Sequence, residues 1–227
     1  MTDTVSVVIP VYNDAEKLEQ CLKSLLDHTS IPLETVIVND GSTDDPAAVA
    51  AKFGCRILTL GGNHGPAYAR NRGVEACRGT IILFADADCV VMPDWAAKAA
   101  ANLGRIRAQY PETAALYGRL DSSDDYVARS YAYTSYAYAQ DGRPGFMNYL
   151  NTACAAVYRE AFQKAGGFSE DMRVNEDPDL ALKLVEADYR VYFDPRSAYC
   201  TNTALIIWGI FCPKNGAGES NRRFAWI

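Results

Sequence analysis

Two carboxylates, one residue apart, follow a predicted buried strand. Asp86 and Asp88 come directly after the apolar run from Ile81 to Ala85, and such a run is typical of a strand buried on both faces of a parallel sheet. In open α/β sheets, ligands bind outside the carboxyl ends of the strands. Mg²⁺ in phosphate sites commonly takes one or two carboxylates together with the substrate's phosphates. The stretch therefore predicts a site for a metal and a diphosphate.

The Asp-x-Asp pattern is weak evidence by itself, because about one copy is expected by chance in a chain with this many aspartates. A second copy, from Asp177 to Asp179, opens a predicted helix instead of following a strand. Only the first copy therefore has the sequence context of a metal site.

The composition limits the classes of function. A chain of 227 residues predicts one domain with a full core. Its net charge of −6 argues against nucleic acid as the main partner. The 7 cysteines form no Cys-x-x-Cys pair, and we interpret them as mostly buried thiols in a reducing cytoplasm.

The N-terminus and the apolar runs predict neither a signal peptide nor a membrane span. The N-terminus carries Asp3 and leads straight into the first strand at Val5, and no apolar run approaches the roughly 20 residues of a span. The tail, residues 196–227, has no clear periodicity. Its run from Ala204 to Cys212, with Arg222 and Arg223, fits either ordinary core or a peripheral membrane contact.

Strands and helices alternate four times in the first ninety residues. The predicted strands are Val5 to Pro10, Glu34 to Val38, Arg56 to Leu60 and Ile81 to Ala85. This alternation is typical of an α/β fold with a mostly parallel, doubly wound sheet flanked by helices. The later pattern is looser and predicts strands at 114–119, 151–158 and 190–193. We therefore expect one domain with a nucleotide-binding half (about 1–115) and a mixed acceptor-side half (about 116–195).

Five segments resemble, in order and spacing, the motifs of family 2 glycosyltransferases of the GT-A fold. They are Val5 to Asn13, Val36 to Asp44, Gly65 to Gly73, Phe84 to Asp88 and Asn175 to Leu180. The resemblance implies inverting transfer of a sugar from a nucleoside diphosphate sugar to a carbohydrate, lipid-linked or other hydroxyl acceptor. It also implies Mn²⁺ or Mg²⁺, with UDP as the default nucleotide and dTDP or GDP as alternatives.

The resemblance places Pro10, Tyr12, Asp40 and Arg70 at the nucleotide. An aromatic face such as that of Tyr12 can stack on a base, and Asp40 can accept the imide N–H of uracil or thymine. The pair Asp40-Gly41 is also an ordinary turn signal. Arg70 can bind phosphate or stack on a base, or it can form a surface salt bridge.

The resemblance also implies the catalytic and metal-binding residues. Asp88 binds the metal, and Asp86 lies near the ribose or in the metal shell. Asp177 is the candidate general base, with Glu176 as a neighbour that holds or replaces it. The pair Asp177-Pro178 is equally typical of a helix N-cap and first turn, so a purely structural role is the alternative.

Other observations leave further alternatives open. The tyrosines between 126 and 149 form either an acceptor platform or ring packing of a helix. Many family members carry a histidine metal ligand where this chain has residues 199–201, and the histidines here are His28 and His64. A degenerate nucleotide-sugar-binding protein is therefore one alternative. A nucleotidyltransferase would need a Gly-rich basic loop after the first strand, and a dehydrogenase would need a Gly-x-Gly-x-x-Gly motif there. This chain has neither, so both interpretations rank low.

Overall fold

The computed structural model describes residues 3–121, 143–196 and 199–202. These residues form an α/β fold with a mixed sheet flanked by helices. The helices are α1 (Ala15–Leu26), α2 (Pro46–Lys52), α3 (Pro66–Ala76), α4 (Trp95–Gln109), α5 (Arg159–Lys164) and α6 (Glu176–Glu186). The strands are β1 (Val5–Val11), β2 (Leu33–Asn39), β3 (Arg56–Thr59), β4 (Ile81–Ala85), β5 (Cys89–Val91), β6 (Thr113–Tyr117), β7 (Arg119–Asp121), β8 (Gly145–Met147), β9 (Cys154–Tyr158), β10 (Arg190–Phe193) and β11 (Tyr199–Asn202).

The large sheet has eight strands in the order β3-β2-β1-β4-β9-β6-β10-β8. The strands β3, β2, β1 and β4 are parallel, as predicted for the nucleotide-binding side. Strand β9 lies between β4 and β6 and runs antiparallel to both. The predicted mixed character of the second half is thereby confirmed, and the start of β9 comes to lie beside the carboxyl end of β4.

A second, three-stranded sheet has the order β5-β11-β7 and differs from the sequence prediction. The strand expected at 114–119 is broken after Tyr117, and its second part, β7, pairs with β11 instead of continuing in the large sheet. β11 lies within the tail that shows no periodicity. Strands of three or four residues are too short for alternation to be recognised.

The core explains why α3 lies so close to the sheet. All five residues of β4 are buried, as are Val7, Val8 and Ile9 of β1. Helix α3 packs on β1 and β2. A Cβ atom on Gly73 of α3 would lie 2.4 Å from Cγ1 of Val8, so this close approach depends on a glycine. Arg70 lies one turn earlier in the same helix and reaches the end of β4.

Several predictions concern residues only partly covered by the structure. Four of the five cysteines with described side chains are buried, in agreement with the interpretation from sequence. Tyr149 packs against Tyr117 with ring centroids 5.9 Å apart, whereas the tyrosines at 126–138 and the run 204–212 lie outside the described residues. Within the described ranges, each helix is too short or too polar to cross a bilayer.

Candidate active site

A cleft of about 500 Å³ opens at the carboxyl ends of β1, β2 and β4. It brings together every predicted substrate-binding and metal-binding residue, namely Pro10, Tyr12, Asp40, Arg70, Asp86, Asp88 and Glu176. The predicted base, Asp177, does not line this cleft, although its side chain is 21% exposed. The strand ends thus assemble one polar site, with Asp177 held beside it.

Asp40 takes the turn position that its sequence suggested and also lines the cleft. The residue is buried after β2, and its Oδ1 and Oδ2 accept the backbone N–H groups of His64 (2.9 Å) and Gly65 (2.8 Å). Gly41 has a φ of +79°, and a Cβ atom there would lie 2.6 Å from the carbonyl carbon of Gly62. The Asp-Gly turn therefore anchors the 61–65 loop, while the remaining lone pairs of the carboxylate can accept a ligand N–H.

Tyr12 is presented to the cleft by a loop that is fixed from both sides. Its side chain is 47% exposed. The neighbouring Asn13 accepts the N–H of Thr43 through Oδ1 at 2.7 Å, and Asp44 accepts the N–H of Ala15 at the start of α1 at 2.7 Å. Asp44 thus bonds the first N–H of α1, whereas Asp45 is the N-cap residue of α2. An exposed ring on a fixed loop suits stacking on a flat ligand.

Asp86 and Asp88 lie in a tight turn that ends in Cys89. The N–H of Cys89 donates to the carbonyl of Asp86 at 3.0 Å. One ligand atom from each of the three side chains lies within 4.8 Å of the others. The Asp86 side chain is 35% exposed, whereas Cys89 is buried. The two carboxylates fit a hard divalent cation, which prefers oxygen ligands.

Arg70 is a buried link between this turn and α6. Its side chain is only 6% exposed, and it donates from Nη2 to Asp86 Oδ1 and from Nη1 to Glu176 Oε1, both at 2.8 Å. Nη1 also lies 3.8 Å from Asp177 Oδ1. Burial lowers the pKa of Arg70, but the carboxylates more than offset this effect and raise it. The surface salt bridge considered from sequence is wrong, and both terminal nitrogens are engaged by protein groups.

Asp177 does not cap its helix, contrary to the structural alternative considered from sequence. The N-cap position is Asn175, and Asp177 is the second residue of α6. Its carboxylate instead accepts the Thr152 hydroxyl at Oδ1 (2.6 Å) and the Thr152 N–H at Oδ2 (2.9 Å). Burial raises the pKa of Asp177 above that of an ordinary aspartate, against the lowering effects of Arg70 and Thr152. A raised pKa makes the carboxylate a stronger proton acceptor.

Arg173 is a cleft residue that the sequence analysis missed. It precedes α6 and donates from Nη1 to Asn63 Oδ1 at 2.8 Å. Its Cδ would lie 3.2 Å from a Cβ atom on Gly65, so it packs over the loop that Asp40 anchors. No spacing pattern marked it. By contrast, Arg72 of α3 forms ion pairs with Glu75 and Glu170 and does not line the cleft.

Similar proteins fit this architecture. The pre-mycofactocin glycosyltransferase of Mycobacterium tuberculosis is 30% identical over 219 residues, which cover 90% of this chain and 44% of that protein. The mannosyltransferase PcManGT from Pyrobaculum calidifontis, in complex with GDP-Man and Mn2+, superposes with a TM-score of 0.70 at 21% identity and covers 92% of this chain and 60% of that one. S. aureus TarS 1-349 in complex with UDP-GlcNAc gives a TM-score of 0.66 at 19% identity, covering 88% and 58%.

The solved structures establish the shared fold, and this chain spans less than half of the mycobacterial relative. The family model described as glycosyl transferase family 2 matches residues 6–166, which is well over half of the chain and includes the Tyr12, Asp40, Arg70 and Asp86 to Asp88 elements of the cleft. The chain therefore belongs to glycosyl transferase family 2.

Proposed function

We propose that this chain transfers a sugar from a nucleoside diphosphate sugar to an acceptor hydroxyl, with inversion at the anomeric carbon. One observation carries the proposal. The cleft gathers Tyr12 and Asp40 at one pair of strand ends and Asp86 and Asp88 at the next, while Asp177 is held close by through Arg70. The ligands of the two similar solved structures, GDP-Man with Mn2+ and UDP-GlcNAc, support a donor of this class.

The donor half of the site, within residues 1–115, divides its work among the strand ends. Tyr12 stacks on the base, beside Pro10, and Asp40 accepts a base N–H. We propose uracil as the base of the donor nucleotide. Asp86 and Asp88 would hold Mn²⁺ or Mg²⁺, which supplies neutralisation of the charge on the departing diphosphate. Their oxygen donors suit either ion.

The proposed general base acts on the acceptor side of the site, within residues 116–195. Inversion requires a carboxylate that takes the acceptor's proton as its oxygen attacks the face opposite the leaving group. We assign this role to Asp177. The acceptor O–H bond breaks, a bond forms from that oxygen to the anomeric carbon, and the diphosphate leaves with the electron pair of the broken C–O bond. The acceptor is a carbohydrate, a lipid-linked molecule or another hydroxyl compound.

Thermal unfolding with UDP, dTDP and GDP, each with and without Mn²⁺, tests the donor site. We expect one diphosphate to raise the melting temperature, and Mn²⁺ to enlarge the shift. A ligand at a hundredfold excess over its Kd stabilises the folded state by about 2.7 kcal/mol. Asp88→Ala should remove the part of the shift that depends on Mn²⁺. If wild-type protein responds to none of the three, the transferase proposal fails.

Arg173 is expected to bind the donor's phosphates. The described lining contains the carboxylates of Asp14, Asp40, Asp86, Asp88 and Glu176, against the guanidinium groups of Arg70 and Arg173. Arg70 is engaged by carboxylates, whereas Arg173 bonds a neutral amide. Arg173→Gln should weaken binding of the diphosphate about tenfold or more, because a hydrogen bond to a charged group contributes about 1.5–3 kcal/mol.

Calorimetry with UDP and with uridine measures this effect. Uridine binding should stay unchanged, since the nucleoside carries no phosphate. Arg72→Gln on the surface of α3 is the matched control and should bind both ligands like the wild type. Equal UDP affinity in Arg173→Gln and the wild type would contradict the assignment.

A further inference from the structure

Thr152 makes two hydrogen bonds to the proposed base. The residue is fully buried, and both of its donors point at the same carboxylate. Its N–H donates to Asp177 Oδ2 at 2.9 Å and its hydroxyl donates to Asp177 Oδ1 at 2.6 Å. Two donors on two oxygens fix the plane of a carboxylate as well as its position.

The sheet determines where Thr152 lies relative to the metal-binding turn. Thr152 precedes β9 by two residues, and Cys154 of β9 pairs with Ala85 of β4. Ala85 is the residue directly before Asp86. The helix that carries Asp177, α6, packs on β10, farther along the sheet. The Thr152 hydrogen bonds therefore connect a side chain from a distant helix to the strand pair that positions Asp86.

We propose that Thr152 is a positioning residue that orients the Asp177 carboxylate to take the acceptor's proton. This inference rests on the proposed function. Oδ1 receives the hydroxyl of Thr152 and faces Arg70 at 3.8 Å. Oδ2 receives the Thr152 N–H and keeps a lone pair. The Arg70 cation makes Oδ1 the weaker proton acceptor, so Oδ2 is the oxygen that accepts the proton as the acceptor oxygen bonds to the anomeric carbon and the diphosphate leaves.

Burial and the charged groups around Asp177 set its pKa, and the Thr152 hydrogen bonds lower it. Arg70 of α3 faces it and lowers its pKa, whereas the adjacent Glu176 and the burial of the site raise it. Asp86 lies across Arg70. A hydrogen bond to the charged form of a carboxyl lowers its pKa. Loss of the Thr152 hydroxyl therefore raises the pKa of Asp177 and frees the carboxylate to rotate.

A pair of conservative variants separates positioning from packing. Thr152→Val keeps the backbone N–H and the side-chain volume but removes the hydroxyl, whereas Thr152→Ser keeps the hydroxyl and removes a methyl group. NMR titration of ¹³C-carboxyl-labelled aspartate, with the Asp177 signal assigned by its loss in Asp177→Asn, requires no acceptor. We expect the Asp177 pKa to rise in Thr152→Val and to stay near the wild-type value in Thr152→Ser.

Turnover gives the second readout, measured as UDP release from UDP-glucose or UDP-GlcNAc with water as acceptor. Thr152→Val should lower kcat about 10- to 100-fold with an unchanged donor KM, because the lost orientation of the carboxylate outweighs its gain in basicity, and Thr152→Ser should restore most of it. An unchanged Asp177 pKa in folded Thr152→Val overturns the inference. Failure of the proposed function is distinct, because it shows as wild-type protein that binds no nucleoside diphosphate.

Discussion

Asp177→Asn should lower turnover by about 10²- to 10⁴-fold, the usual contribution of a general base, while nucleotide binding remains intact. Asparagine has the same shape, and its amide oxygen can still accept a hydrogen bond from Thr152. The amide cannot take a proton from an acceptor hydroxyl at neutral pH. The measurements are kcat from UDP release and the Kd for UDP from calorimetry.

Asp179→Asn is the matched control for this variant. Asp179 belongs to the same Asp-x-Asp pattern and the same first turn of α6, but its carboxylate accepts the Ser169 hydroxyl at 2.8 Å and pairs with Lys183 at 3.1 Å. We expect its variant to keep turnover near that of the wild type. Turnover of Asp177→Asn within about threefold of the wild type would remove Asp177 from the mechanism, since general bases contribute far more.

The dependence of kcat on pH, on the acidic side, tests the same assignment of Asp177 as the base. Burial raises the pKa of Asp177 above its ordinary value, which is about 3.9 for aspartate. Below that raised pKa the carboxyl is protonated and cannot act as a base. Wild-type kcat should therefore fall at a pH above the range of an ordinary aspartate, and that limb should be absent from the residual rate of Asp177→Asn.

The strand ends of the site were predictable from sequence because they follow from local patterns. Buried apolar runs identify β1, β2 and β4 as strands of a parallel sheet, and parallel strands bring their carboxyl ends to one edge. Tyr12, Asp40 and Asp86 each follow such a run directly. Their meeting in one cleft also depends on the strand order β2-β1-β4, which the structure provides.

The contacts between the two halves were not predictable in the same way. Arg70 and Glu176 are 106 residues apart in the chain, and they meet because β9 inserts antiparallel beside β4. Thr152 and Arg173 lie in segments between elements, where no periodicity marks a functional position. The sequence pattern for Asp177 fits a helix cap equally well, but Asp177 is the second residue of α6 and both of its oxygens bond Thr152, which excludes that role.

The buried guanidinium of Arg70 stabilises the fold and also holds residues of the candidate site. We expect Arg70→Met to lower the free energy of unfolding. Methionine fills much of the volume but leaves Glu176 and Asp86 without their buried cation. Breaking a buried ion pair by removing one partner typically costs about 3–5 kcal/mol. Because Asp86 is 35% exposed and water can solvate it, we expect the lower end, about 3 kcal/mol, from urea unfolding at neutral pH.

Low pH should narrow the difference in the free energy of unfolding between Arg70→Met and the wild type. Arg70 lowers the pKa of Asp177, and burial raises it, so the variant raises the folded-state pKa further above the unfolded value. A carboxyl with a raised folded-state pKa destabilises the fold above that pKa, and protonation relieves the penalty as the pH falls. Arg72→Met, which removes a half-buried surface arginine from the same helix, is the control and should show a much smaller loss. Equal urea midpoints for Arg70→Met and the wild type would mean that the carboxylates around Arg70 are solvated well enough to need no cation.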